Sequence, residues 1–213
     1  MNTGKNFTVI FDFDGTLADT MQLILDIYNQ VLVPSFKCKQ IERMDVEKFR
    51  ELHPKELLEL HNISLIKLPF IVLRARSEMN RRISDIHLHP GIRDVLKTLY
   101  DSGIRLGICT SNSKLNVMSF LSQNSMTEWF GFIYSSKHLF GKDRVLRKII
   151  HEQKLSKDEK TIFIGDEARD IDAARSAGIR VASVTWGLNS KCMLEQKKPD
   201  MLLDSPEELL NLI

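Results

Sequence analysis

Two apolar rhythms alternate along this chain. Short runs rich in β-branched residues end in small polar ones. Between them lie stretches with apolar positions three and four apart. Asn6 to Phe13 (NFTVIFDF) is a run of the first kind, broken by Asp14-Gly15-Thr16. It predicts a buried strand that opens into a loop. Ile104–Thr110 (IRLGICT) ends in Ser111-Asn112-Ser113, and Gly131–Tyr134 is a weaker run. Thr161–Ile164 (TIFI) ends in Gly165-Asp166, and Arg180–Thr185 (RVASVT) ends in Trp186-Gly187. The helical rhythm is clearest over Ile92–Tyr100, where Ile92, Val95, Leu96 and Leu99 share one face before Asp101-Ser102-Gly103. Lys142–His151 and Asp170–Ala177 read the same way, the second closed by Gly178.

Strands alternating with helices predict an α/β fold, a Rossmann-like doubly wound parallel sheet covered on both faces. One stretch interrupts the alternation. Residues 18–89 show no strand pattern and several helical ones, such as Thr20–Val31 and Lys55–His61, punctuated by Pro34, Pro54 and Pro69. They predict an α-helical domain inserted after the first strand, with 1–17 and 90–213 forming the α/β core. There is no internal repeat or low-complexity tract.

Composition narrows the class. The 213 residues are 43% hydrophobic and 27% charged, which is globular and excludes a disordered or collagen-like chain. Lys+Arg of 30 against Asp+Glu of 28 gives a net charge of +2, no basis for a nucleic-acid partner. Three irregularly spaced cysteines, Cys38, Cys109 and Cys192, make no disulfide framework. No apolar run reaches membrane-span length, and the first residues lack a signal-peptide pattern. The expectation is a cytoplasmic protein with no membrane partner, a monomer or homodimer.

The chemistry gathers where a parallel sheet binds its ligands, at the carboxyl ends of its strands. The first strand delivers Asp12 and Asp14, two apart and so on one side of an extended chain. The second delivers Thr110, Ser111 and Asn112. The fourth delivers Asp166 and Asp170, and Lys142 opens the helix before it. If these ends meet, up to four carboxylates share one space, which raises pKa values and invites a divalent cation. All-oxygen ligands suit Mg²⁺, which keeps waters and meets substrate phosphates. The same groups suit phosphoryl transfer: one Asp to attack phosphorus, another to move the proton, and hydroxyl, backbone N–H and ammonium donors to hold the oxygens.

These residues match a known pattern in order. Phe11-Asp12-Phe13-Asp14-Gly15-Thr16-Leu17, Ile108-Cys109-Thr110-Ser111-Asn112, Phe140-Gly141-Lys142, and Gly165-Asp166 through Asp170 to Ala174 form four successive motifs. The chain resembles the haloacid dehalogenase superfamily of phosphohydrolases, nearest its phosphoglycolate phosphatase-like group with a helical cap. The resemblance implies Asp12 as nucleophile and Asp14 as general acid/base. It implies Mg²⁺ held by Asp12, the Asp14 backbone carbonyl and Asp166. Asp170 would stand one step behind, holding waters or Lys142. Thr110 and Lys142, with the Ser111 and Asn112 backbone, would bind the phosphoryl group. The insert would be a cap that closes over the site and selects the leaving group. It carries no recognisable single-substrate pattern, and the implied substrate is a small phosphorylated metabolite.

Phosphomutase, inorganic pyrophosphatase and a catalytically silent phospho-ligand binder share these motifs. A dehalogenase does not need Asp14 or Mg²⁺. A phosphoacceptor receiver domain needs an Asp after the third strand, where Tyr134-Ser135-Ser136 stands. Lys142 is preferred over Lys137 because it directly follows Gly141. Asp172 reads as a solvated helix residue, Cys109 as buried and inert, and His87 and His89 as hinge or surface residues. Glu167 stays open. Trp186-Gly187 borders the site or simply packs, packing being the default reading. Arg43, Arg50, His53 and Lys55 line a solvated face or meet an anionic substrate, the first reading being preferred. Lys197-Lys198 reads as exposed loop.

Overall fold

The computed structural model describes residues 7–42, 45–51, 54–136, 141–156 and 160–212. Arg43, His53, Lys137 and Phe140 lie outside the described residues, as does the Lys55 side chain. In chain order come β1 (Thr8–Phe11), β2 (Ala18–Asp19), α1 (Met21–Ile27), α2 (Val33–Phe36), α3 (Val46–Glu51), α4 (Pro54–Leu60) and α5 (Leu68–Arg81). Then follow β3 (His87–Leu88), α6 (Ile92–Asp101), β4 (Arg105–Thr110), α7 (Lys114–Gln123), β5 (Phe130–Ser135) and α8 (Lys142–Glu152). The chain closes with β6 (Thr161–Gly165), α9 (Ala168–Ala177), β7 (Arg180–Val184), α10 (Lys191–Gln196) and β8 (Met201–Leu203).

Six strands form one sheet in the order β5-β4-β1-β6-β7-β8, and every neighbouring pair is parallel. This is the expected α/β fold. Alternation along each strand splits the core into two layers. Val9, Phe11, Leu106, Ile108, Ile162 and Ile164 join one apolar cluster, while Ile10, Cys109 and Phe163 join the other. The predicted face of α6 is buried at Ile92, Val95, Leu96 and Leu99. The Ser113 hydroxyl caps α7 by accepting from the Asn116 N–H, and Gly178 closes α9 in the left-handed region.

Residues 18–89 are mainly helical. A turn of π-helix, Tyr28–Leu32, continues α1 into α2, and Pro34 and Pro69 sit in first turns, where proline is tolerated. The expectation of no strand here needs correction. Ala18–Asp19 pairs antiparallel with His87–Leu88 across the two ends of the stretch. Two residues per strand leave no period to read. The edge strand Met201–Leu203 also escaped the pattern, since three residues are too short to show alternation. Leu23, Ile27, Leu32 and Ile71 of the insert belong to the same apolar cluster as Val9 and Phe11, so insert and sheet share one continuous core.

Gly107 illustrates how tight that sheet is. The β4–β5 register shifts between Leu106 and Gly107, and a Cβ on Gly107 would run into the ring of Phe132, which is buried. Gly107→Ala therefore overpacks the strand and lowers unfolding free energy by about 1–3 kcal/mol in urea denaturation. Adding Phe132→Leu, which vacates the space, recovers part of that loss.

Candidate active site

β4, β1 and β6 lie side by side, so their carboxyl ends open onto one place. Asp12 leaves β1 with its N–H still in the ladder, donating to the Ile164 carbonyl at 2.8 Å. Its Oδ1 accepts the Phe13 N–H at 2.7 Å. Its Oδ2 meets Lys142 Nζ at 2.6 Å, and the same Nζ meets Asp170 Oδ1 at 2.5 Å. All three side chains are nearly sealed from solvent: Asp12 is 2%, Lys142 6% and Asp170 0% exposed. Two carboxylates and one ammonium leave this buried triad one negative charge in excess.

The electrostatics follow. Burial is the main force raising the Asp12 carboxyl to about 6; Lys142 opposes it and Asp170 adds to it. Burial also lifts Asp14 to about 7, with Asp12 the next contributor. Burial disfavours the Lys142 ammonium, but Asp12 and Asp170 outweigh it and hold the group charged above its ordinary range. Asp166 is fully buried and pushed well upward, by desolvation first and then by Glu167 and Asp12.

Asp166 is gripped from both sides. Thr16 Oγ1 donates to Oδ1 and the Leu188 N–H to Oδ2, each at 2.7 Å. A Cβ on Gly15 or on Gly187 would collide with this carboxylate, and Gly15 also adopts φ +75°. Only glycine lets both backbones approach so closely. Trp186 therefore does border the site: its Nε1 donates to the Thr16 carbonyl at 3.1 Å, and its ring meets His89 edge-on. His89 is buried rather than exposed, whereas His87 is exposed.

The β4 end is equally built. Thr110 Oγ1 accepts the Asn112 N–H at 3.0 Å, which leaves the threonine O–H free to point elsewhere. The Asn112 side chain does more than its backbone was expected to do: Nδ2 donates to both Asp14 oxygens at 3.1 Å. Asn116 Nδ2 steadies it from α7, at 2.9 Å from Asn112 Oδ1. The Ser111 carbonyl accepts from Arg76 Nη2 of α5 at 3.1 Å.

Oxygens of Asp12, Glu167 and Asp170 lie within 4.8 Å of one another. An all-oxygen, charge-crowded donor set of this kind fits a hard divalent cation. Glu167 also caps α9 reciprocally with Asp170 and pairs with Arg169. Asp172, by contrast, is exposed and pairs with Lys197 at 2.7 Å. Cys109 is fully buried in β4.

Above these groups lies a cavity of about 210 Å³ between the strand-end loops and the insert. Asp14, Gly15, Ser111, Asn112, Asp166 and Glu167 form its polar end. A second bridge from the insert is Arg50, which neither faces solvent freely nor lines the cavity. Its guanidinium donates to the carbonyls of Thr185 (3.1 Å), Gly187 (3.0 Å) and Leu188 (3.3 Å), in the loop that grips Asp166. The Ser190 N–H returns a bond to the Arg50 carbonyl at 3.1 Å. Neither Arg50 nor Arg76 carried a local signal that separates it from other helix-surface arginines.

Known proteins are similar to this chain. The family model described as haloacid dehalogenase-like hydrolase matches residues 9–184. A phosphoglycolate phosphatase of Synechococcus elongatus is 29% identical over 205 residues, 96% of each chain. The pyrophosphatase PpaX of Bacillus cereus is 28% identical over 211 residues, 97% of this chain and 95% of its own. A solved haloacid dehalogenase-like hydrolase of Streptococcus pneumoniae superposes with a TM-score of 0.80 at 23% identity, covering 97% of this chain and 98% of that one. The matched span contains Asp12, Asp14, Thr110, Lys142, Asp166 and Asp170, and by that match the chain belongs to the haloacid dehalogenase-like hydrolases.

Proposed function

We propose that this hydrolase is a Mg²⁺-dependent phosphatase of a small phosphorylated metabolite, working through an aspartyl-phosphate on Asp12. The observation that carries the reading is the buried Asp12–Lys142–Asp170 triad beside Asp14, at the carboxyl ends of parallel strands. The phosphatase and pyrophosphatase names of its relatives support the same chemistry.

Each group then has a task. The Phe13 N–H fixes the Asp12 carboxylate, whose oxygen attacks phosphorus as the bond to the leaving oxygen breaks. Asp14, raised to about 7 and oriented by Asn112, gives its proton to that oxygen. In the second half it takes a proton from water, whose oxygen bonds to phosphorus as the Asp12–phosphorus bond breaks, releasing inorganic phosphate and the free Asp12 carboxylate. Lys142, the Thr110 hydroxyl and the Ser111 N–H bind the phosphoryl oxygens as charge shifts, while the Asn112 N–H, donating to Thr110 Oγ1, orients that hydroxyl. Asp12, the Asp14 backbone carbonyl and Asp166 would hold Mg²⁺, with Asp170 behind them positioning Lys142. Bound there, the ion supplies positive charge against both the phosphoryl oxygens and the crowded carboxylates.

Residues 18–89 form the cap in this reading and 1–17 with 90–213 the core. Among the described residues no helix is long and apolar enough to cross a membrane, and a soluble metabolite in the cytoplasm is the fitting substrate. Pyrophosphate is the second reading, favoured by the PpaX relatives.

Hydrolysis of an aryl phosphate in Mg²⁺ tests the chemistry. Turnover vanishes in EDTA and returns with excess Mg²⁺. Asp12→Asn lowers kcat by at least about ten-thousandfold while the circular dichroism spectrum is unchanged. Near-wild-type turnover by Asp12→Asn would overturn the mechanism.

The Arg50 bridge generates a separate outcome. Arg50→Ala removes the donors held by three loop carbonyls, so amides of residues 185–190 exchange faster with deuterium. The apparent Mg²⁺ requirement rises several-fold, because the Leu188 N–H no longer holds Asp166 as firmly. Unchanged exchange in that loop would show that Arg50 is dispensable for its order.

A further inference from the structure

We infer that the cavity over the site is a leaving-group pocket for a phosphate monoester with a short apolar body, and that it disfavours pyrophosphate. The inference rests on the phosphatase reading and adds the substrate class.

The cavity has two unlike ends. Its polar end is the set of strand-end loops, where the phosphoryl group belongs. Its other end is built by α1 and α5 of the insert, where Met21, Ile24, Val72, Ala75 and Met79 stand beside Arg76. These side chains are half-buried, so an occupant would cover apolar surface that water now meets. Methionines at two positions give a wall that adapts to shape.

Charge decides against a second phosphate. Arg76 and Arg169 are the basic residues of the lining among the described residues. Arg169 pairs with Glu167, and Arg76 already donates to the Ser111 carbonyl. The leaving half of pyrophosphate would set its charges against methionine, isoleucine and valine. Burying an anion against an apolar wall is strongly unfavourable without matched donors. A phosphate dianion needs donors beyond two guanidiniums that are already engaged.

The test uses methyl, ethyl, propyl and butyl phosphate, whose leaving alcohols differ in apolar surface far more than in reactivity. Dissociation constants are measured by calorimetry on Asp12→Asn with Mg²⁺ present, and kcat/KM on the wild-type enzyme, with pyrophosphate in both series. Affinity and kcat/KM are expected to rise about fourfold per methylene. Pyrophosphate is expected to fall below butyl phosphate in both. Val72→Asp flattens the series, and the near-isosteric Met79→Gln does so more mildly if the first variant folds poorly. A flat or falling series in a hydrolysing enzyme, or pyrophosphate as the best ligand, overturns the pocket and leaves the phosphatase reading standing. A rising binding series without turnover of any ester upholds the pocket and overturns that reading. Neither binding nor turnover overturns both.

Discussion

A buried ammonium between two buried carboxylates is the constraint around which this structure is arranged. Lys142 meets Asp12 and Asp170 at 2.6 and 2.5 Å, with all three nearly inaccessible. Removing such charges from water is costly, and only close pairing with further hydrogen bonds offsets it. Asp14, Asp166 and Glu167 then crowd the same space with more negative charge than Lys142 and Arg169 together can balance. Burial first, and neighbouring carboxylates after it, push the Asp12 and Asp14 carboxyls up to about 6 and about 7. A site left short of positive charge is one that gains by binding a cation and a phosphoryl group held by cation and lysine together.

The backbone around the cluster answers the same constraint. Gly15 and Gly187 come so near Asp166 that neither could carry a side chain, and Thr16 and Leu188 donate to its two oxygens. The carboxylate is therefore held in place by loops from two different strands. Asn112 does the same for Asp14 from a third, and Asn116 steadies Asn112 in turn. Orientation of the acids is thus spread over β1, β4, β6 and β7 and does not depend on any one turn.

The insert reaches this assembly through two arginines that donate to main-chain carbonyls. Arg50 touches the loop that grips Asp166, and Arg76 touches the Ser111 carbonyl at the β4 end. Guanidinium-to-carbonyl bonds at half-exposed positions are modest individually. They add to the shared apolar core in tying the insert to the strand-end loops.

Much of the core was readable from the chain because its physics is local. A buried parallel strand must be a short apolar run, and a chain leaving a sheet must turn, so Asp12, Thr110 and Asp166 are marked by the runs they end. Spacing alone put Asp14 beside Asp12 and Asp170 one helical turn from Asp166. Where locality failed, reading failed: β2, β3 and β8 are too short to carry a period, and the Asn112 side chain orients Asp14 across 98 residues of chain. Arg50, Arg76 and Thr16 meet their partners across 35 to 150 residues of chain. Nothing near Arg50 or Arg76 in sequence distinguishes them from ordinary surface residues, and Thr16, although it stands in the first motif, carries no spacing that names Asp166 as its partner. The chain by itself determined which chemical groups the strand ends present. Only the tertiary structure decided which of them touch, how far burial shifts them, and what kind of wall the insert sets opposite. Those properties depend on distance through space and on excluded water, which no linear spacing encodes.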